Sequence, residues 1–343
     1  MLLKERGVSV EMEQAKKLMK GFCRVCPVCD GRACVGEIPG MGGVGTGSSF
    51  TANMEALAAI KLKMKVLTCS TIPSVHTTVL GKELAMPVLG APLAGVPINM
   101  SKEISEEQYA MAVLQGCHRA GTIGCTGDGP QDYVYQAGFK AIKSVGGNGI
   151  PFIKPWEDKV LFKKVAEAAE CNIDTLGIDI DSVGLCNVKI MGGSIPLRTR
   201  KQLAEMIEKI PFQVILKGIM GPEEARIAVD LGAAAIVVSN HGGRILDYTQ
   251  GTAEVLPDIV AAVNGAIPVL ADGGIRSGAD VLKMLALGAS AVLLGRPLAI
   301  SVFNDLDHGA ETYLHRIKNE LIQAMVLTGC EKLSDISSAI ITD

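Results

Sequence analysis

Aromatic side chains are scarce in this chain: one Trp, five Tyr and seven Phe among 343 residues. Charge of one sign is also missing. Thirty-three basic residues face 36 acidic ones, for a net charge of −3, and no basic run stands out. That balance excludes a phosphate-backbone or anionic-lipid partner held by a charged patch. No apolar stretch reaches the ~18 residues of a membrane span before a charge or a glycine breaks it. The start, MLLKERGVSVEMEQAKK, has no apolar leader core, so no signal peptide is expected. Ten cysteines without an export signal point to a reducing, cytoplasmic setting.

Glycine is abundant, at 39 residues, and hydrophobic residues make up 48% of the chain. Many tight turns and a large core are implied. From residue 86 onward, short apolar runs alternate with amphipathic segments. The runs are 87–95, 121–127, 150–156, 175–181, 212–219, 235–243, 267–275 and 291–297. Each is near-continuously apolar, as befits a strand covered on both faces. Segments such as GPEEARIAVDLGA (221–233) and RSGADVLKMLALGA (276–289) read as helices with acidic starts and a Gly near the end. LGAAAIVV (231–238) and LGASAVLL (287–294) repeat one helix-to-strand joint. Eight such units predict an α/β fold, a (β/α)8 TIM barrel, over a doubly wound open sheet. The barrel and its closing helices occupy 86–343. Residues 1–85 form an N-terminal extension, with helices in EMEQAKKLMKGF (11–22) and TANMEALAAIKLKM (51–64) around a Cys/Gly-rich loop. One or two closing helices are expected over 305–339.

Chemistry in such a barrel belongs at the C-terminal ends of the strands. Those ends offer Lys217, then His241 and Arg244, then Asp272 and Arg276, then Gly295 and Arg296. DGGIRSG (272–278) places glycines at a helix start, where free N–H groups and the helix dipole favour an anion. GRP (295–297) adds a glycine and a guanidinium on the adjacent strand end. Together they read as a phosphate site rather than as turns alone.

LKGI, SNHGGRILD, ADGGIRSGADVLKMLALGASAVLLGRP and LIQAMVLTGCEKLSDI resemble the FMN-dependent α-hydroxy-acid oxidase and dehydrogenase family, which includes glycolate oxidase, lactate oxidase and flavocytochrome b2. The likeness is dense over 212–340 and looser over 50–150. It implies FMN on a TIM barrel and oxidation of a 2-hydroxy acid or related carbinol by hydride transfer. His241 would be the general base and Arg244 would bind the substrate carboxylate. Lys217 would stabilise the anionic reduced ring, and Asp247 would fix the imidazole. Asp272, Gly274, Arg276, Gly295 and Arg296 would hold the ribityl phosphate, with Pro92, Leu93 and Ala94 against the flavin face, Thr126 near the ring edge and Ser239 in the cofactor site. The physics agrees: a cation stabilises developing negative charge, an imidazole titrates near neutrality, and a guanidinium matches a carboxylate. A homotetramer is implied by the same resemblance, while the electron acceptor is left open.

The substrate side departs from the family. No tyrosine precedes Tyr109, and Lys154 and Pro155 stand where the family has a glutamine and a tyrosine. After strand four the chain reads DIDSVGL (179–185), with no arginine until Arg198. Lys154, Arg244 and Asp181 are therefore the expected substrate contacts, suited to a larger or amine-bearing small molecule. Two other readings remain beside oxidation: an FMN barrel of isomerase or reductase type, like type 2 isopentenyl-diphosphate isomerase, and a flavin- or metal-dependent sensor.

CRVCPVCDGRAC places Cys23, Cys26, Cys29 and Cys34 at C-x2-C-x2-C-x4-C spacing. Reduced thiols, a zinc or iron–sulfur site, and a redox dithiol pair all fit that spacing. GMGGVG (40–45) matches a dinucleotide fingerprint, but no strand precedes it, so a flexible lid is expected instead. His308 and His315 read as surface residues.

Overall fold

The computed structural model describes residues 12–67, 71–190 and 192–342. The leader stretch 1–11 lies outside the described residues. Eight parallel strands close into a barrel in sequence order: β1 (Val88–Gly90), β2 (Gly124–Thr126), β3 (Gly149–Ile153), β4 (Thr175–Asp179), β5 (Gln213–Ile219), β6 (Ala235–Val238), β7 (Val269–Ala271) and β8 (Ala291–Leu294). β8 pairs with β1 through Leu293 and Leu89, which closes the ring. The (β/α)8 expectation holds, and every apolar run of the sequence carries one strand.

Side chains alternate across each strand, so the barrel has an inner and an outer core. The inner one contains Leu89, Cys125, Phe152, Ile215, Val237 and Leu293. Its floor is a hairpin, Thr77–Val79 paired with Lys82–Leu84, which inserts Val79 and Leu84. The outer core lies under a ring of helices: α1 (Glu13–Leu18), α2 (Ser48–Ala59), α3 (Glu106–Arg119), α4 (Asp132–Ser144), α5 (Asp158–Ala169), α6 (Arg200–Lys209), α7 (Pro222–Asp230), α8 (Thr252–Val263), α9 (Gly278–Ala286), α10 (Arg296–Asn304) and α11 (Gly309–Thr328). Local chemistry sets their ends. Ser277 caps α9 by accepting from Asp280 N, while the Asp280 carboxylate accepts from Ser277 N. α7 begins with Pro222, Glu223 and Glu224, which suit the positive end of the helix dipole. α11 ends at left-handed Gly329.

Two segments differ from expectation, and the closing segment agrees with it. The helix expected at 51–64 stops at Ala59, because Ile60 is extended and Lys61–Leu62 pair with Ile341–Thr342. Of the closing segment, 309–328 forms one helix. Strand six ends at Val238 rather than at 243, since His241, Gly242 and Gly243 all take positive φ and turn the chain over the mouth. Among the described residues, no helix is long and apolar enough to cross a membrane.

Candidate active site

The C-terminal mouth of the barrel holds one cavity of about 1240 Å³, counting its open side. Pro92, Leu93 and Ala94 line it after β1, Lys154 after β3, and Lys217 on β5. His241 and Arg244 follow from β6, Asp272, Gly274 and Arg276 from β7, and Gly295 and Arg296 from β8. These sequence-predicted residues are therefore brought together.

The base candidate sits in a charged cluster. His241 Nδ1 lies 3.1 Å from Asp181 Oδ1 and 3.7 Å from Asp179 Oδ1. Lys217 Nζ donates to Asp179 Oδ1 at 3.0 Å and lies 3.4 Å from His241 Nδ1. A carboxylate acceptor at Nδ1 assigns the ring proton there in the neutral imidazole, which leaves Nε2 as the acceptor for an incoming proton. Burial disfavours the charge on Asp179, but Lys217, His241 and Lys154 outweigh it and hold its carboxyl well below the usual range. Burial likewise works against the Lys217 ammonium, and Asp179, Asp181 and Asp272 keep it above its ordinary value. The pair is ionised and nearly dry. The close approach depends on Gly218, at φ +108, where a Cβ would stand 2.5 Å from that of Asp181.

Asp247 does not fix the imidazole. Its carboxylate accepts from Thr46 N at 2.6 Å and Ser48 Oγ at 2.7 Å, and also from Tyr248 N. These donors, Thr46 N foremost, lower its carboxyl to about 2. It caps the approach to α2, because the chain after Arg244 turns outward. Asp181, expected against the substrate, takes the place beside His241. Thr126 also leaves the site: strand alternation points Cys125 inward and turns Thr126 onto Gly138 of α4. Ser239 is buried beneath the mouth, where its Oγ accepts from His241 N and supports the histidine backbone. His241 is one of few non-glycine residues at positive φ, a conformation that needs such support.

The arginines hold the N-terminal segment. Arg244 Nη1 donates to the carbonyls of Gly40 and Gly42, and its Nη2 to Asn99 Oδ1. Arg296 donates to Met41 and Gly42 and stacks 3.9 Å over the Phe50 ring. Arg276 donates twice to the Cys29 carbonyl. Burial, aided by Arg296, lowers Arg244 to about 9. With Val44 N bound to the Gly243 carbonyl at 2.8 Å, the GMGGVG stretch is a fixed wall of the mouth and not a loose lid.

Three site residues carried no role in the sequence reading. Asp128, just past β2, accepts from Lys154 N, Trp156 Nε1 and Lys164 Nζ, and its carbonyl accepts from Lys154 Nζ at 2.6 Å. Its signal was present: an acid directly after an apolar run. Asn53 of α2 exchanges hydrogen bonds with Asn240, and Asn99 bridges Arg244 and Asn187. Those two depend on distant segments and left no local signal. His308 and His315 are exposed beside Glu311, as expected.

The residues fit FMN. Lys217 offers a cation at one end of the cavity. Between the ends, Asp272 Oδ1 is buried without a hydrogen-bond partner, as an acceptor for a ribityl hydroxyl would be. At the other end the backbone comes close: Gly274, at φ +77, has no room for a Cβ, which would stand 2.3 Å from Asn53 O. The N-terminus of α10 opens beside it at Gly295, with Arg276 and Arg296 alongside.

The sequence model of a family described as FMN-dependent dehydrogenase matches residues 40–189 and 186–343. The chain belongs to that family. An L-lactate oxidase of Roseobacter sp. (strain GAI101) is 32% identical, with 88% of each chain covered. Glycolate oxidase of Spinacia oleracea is 32% identical over 84% of this chain and 86% of its own. Among solved structures, mandelate oxidase with (S)-2-phenylpropionate superposes with a TM-score of 0.76 at 29% identity, covering 96% of both chains. As a member of the FMN-dependent dehydrogenase family, the protein is a flavoprotein oxidoreductase that oxidises the CH–OH group of a 2-hydroxy acid. The family match begins at residue 40, so the four-cysteine segment lies outside it.

Proposed function

We propose that His241 is the base of this oxidation, taking the proton of the substrate's α-carbinol at Nε2. The observation that carries this reading is the Asp181–His241 contact beside the buried Asp179–Lys217 pair, with Asp179, Lys217 and His241 at the wall of one cavity. Asp181 holds the ring in the tautomer that can accept a proton and stabilises the imidazolium that forms. Lys217 keeps a positive charge where negative charge develops. Arg244 and Lys154, which both line the cavity, anchor the substrate carboxylate. FMN, when bound, supplies the hydride acceptor. Asp272, the 273–275 backbone, Gly295, Arg276 and Arg296 hold its ribityl phosphate, and Pro92, Leu93 and Ala94 flank its ring. In this reading residues 86–343 are the FMN-binding unit and the preceding segment is its cover. A homotetramer in the cytoplasm belongs to the same proposal, and light scattering checks its mass.

Met41, Met100, Leu185 and Val188 line the same cavity. They favour a 2-hydroxy acid with an apolar side chain, such as lactate or mandelate, over glycolate. Each added methylene in such a pocket gives about 10-fold or more in kcat/KM. Anaerobic mixing of the FMN-loaded protein with the three acids tests both points. Bleaching of the flavin band should be fastest with the apolar acids. It should slow by about 10²–10⁴-fold in His241→Gln at unchanged FMN content. Bleaching at the wild-type rate in that variant would remove His241 from the role.

A further inference from the structure

Behind the phosphate end of the flavin cavity lies a second, smaller cavity. Cys23, Cys26, Cys29 and Cys34 all line it, together with Met41 and Arg296, which also line the flavin cavity. The four thiols form no disulfide. Their loop is built rather than loose. Cys23 N is bound to Met19 O, Arg24 to the Ala33 carbonyl and the Glu37 carboxylate, and Arg276 to the Cys29 carbonyl. Donors already point at sulfur: Val25 N lies 3.4 Å from Cys23 Sγ, and Arg276 Nη2 lies 3.6 Å from Cys29 Sγ.

Four thiols gathered against arginines are a poor packing solution and a good ligand set. A multivalent cationic centre would offset the repulsion among four thiolates, and Arg24, Arg276 and Arg296 would balance the negative charge that remains.

Sulfur spacing favours one of the candidate centres. Among the described residues, no three of these sulfurs lie within 4.8 Å of one another. One tetrahedral zinc with Zn–S bonds of ~2.3 Å would need them about 3.8 Å apart. A cubane cluster spreads its four thiolates more widely, and three closely spaced cysteines plus a fourth is the sequence habit of such sites. We propose that Cys23, Cys26, Cys29 and Cys34 hold a four-iron iron–sulfur cluster, separated from the flavin cavity by Met41 and Arg296. The cluster assignment rests on the cysteines; only its nearness to FMN rests on the proposed phosphate contacts.

The test is made on the full chain, FMN-loaded, purified without oxygen and reconstituted anaerobically with ferrous iron and sulfide. About four iron and four sulfide per chain are expected, with an electron-paramagnetic signal after dithionite reduction. Cys26→Ala and Cys34→Ala should each lose most of the iron while keeping FMN and its bleaching by lactate. One zinc per chain without sulfide would overturn the proposal. So would wild-type protein that takes up no iron, or full iron retention with both alanines combined. FMN content and lactate bleaching are read on the same samples, so failure of the flavin reading shows up separately.

Discussion

The two halves of the barrel mouth are built differently. Around β5 to β8, each functional side chain sits on or just past its own strand end, and neighbouring strands bring Lys217, His241, Asp272 and Arg296 together. Around β2 to β4, the polar groups serve one another first. Asp128 gathers Lys154, Trp156 and Lys164, and Asp181 reaches over Gly218 to His241. The first half lines the cavity with charged groups, whereas the second supports and orients them. A charge at a strand end is thus not automatically a substrate contact: Asp181 lies at the mouth and is spent on an imidazole.

Removing a supporting carboxylate is the strongest way to break this contrast. Asp179→Asn leaves the Lys217 ammonium nearly dry without its ion partner. It should destabilise the protein by about 3–5 kcal/mol in urea melts, since an uncompensated buried charge is costly. Asp181→Asn should fold normally and slow anaerobic flavin bleaching by about 10²-fold, with a changed pH profile, because the ring loses its tautomer lock. Asp247→Asn, the carboxylate that the local sequence favours, should leave that rate within about 2-fold, because its partners are Thr46, Ser48 and Tyr248 and not the imidazole. The reverse ranking would return the orienting role to Asp247.

A smaller, pH-dependent effect sharpens the cofactor half. Glu106 of α3 is buried and accepts from Gly95 N and Val96 N, just past the cavity-lining 92–94 turn. Burial raises its carboxyl to about 7, against the pull of those two N–H groups. The folded state therefore holds a proton that the unfolded chain releases near 4.5. The stability Glu106 contributes is full below that pH and is lost as pH rises toward 7. Thermal midpoints of wild type and Glu106→Gln should converge or cross over this window. Parallel curves would show that Glu106 does not titrate there.

The eight strands and their order were legible because strands buried on both faces read as unbroken apolar runs, and because the joint at 231–238 recurs at 287–294. That the β5–β8 strand ends would meet at one cavity was legible for the same reason: Lys217, His241, Asp272 and Arg296 lie at or just past the ends of those runs. The partner of His241 was not. Asp247 lies six residues along the chain, whereas Asp181 is brought in by β4, with β5 standing between it and β6. Thr126 was misplaced because a strand end offers two faces, and only the register set by Cys125 decides which one looks inward. The glycines of 40–45 suggested mobility, yet the backbone carbonyls of Gly40, Met41 and Gly42 are what the arginines bind.

Those carbonyls also fix an order of assembly. The wall at residues 40–44 is made early in synthesis, but its anchors, Gly243, Arg244 and Arg296, emerge about 200 and 255 residues later. On the ribosome the segment has nothing to dock on until β6 and β8 have left the tunnel. The barrel's last strand thus completes both the ring and the mouth. A chain cut short before residue 291 would lose more than a strand, because Met41 and Gly42 would lose their Arg296 anchor with it.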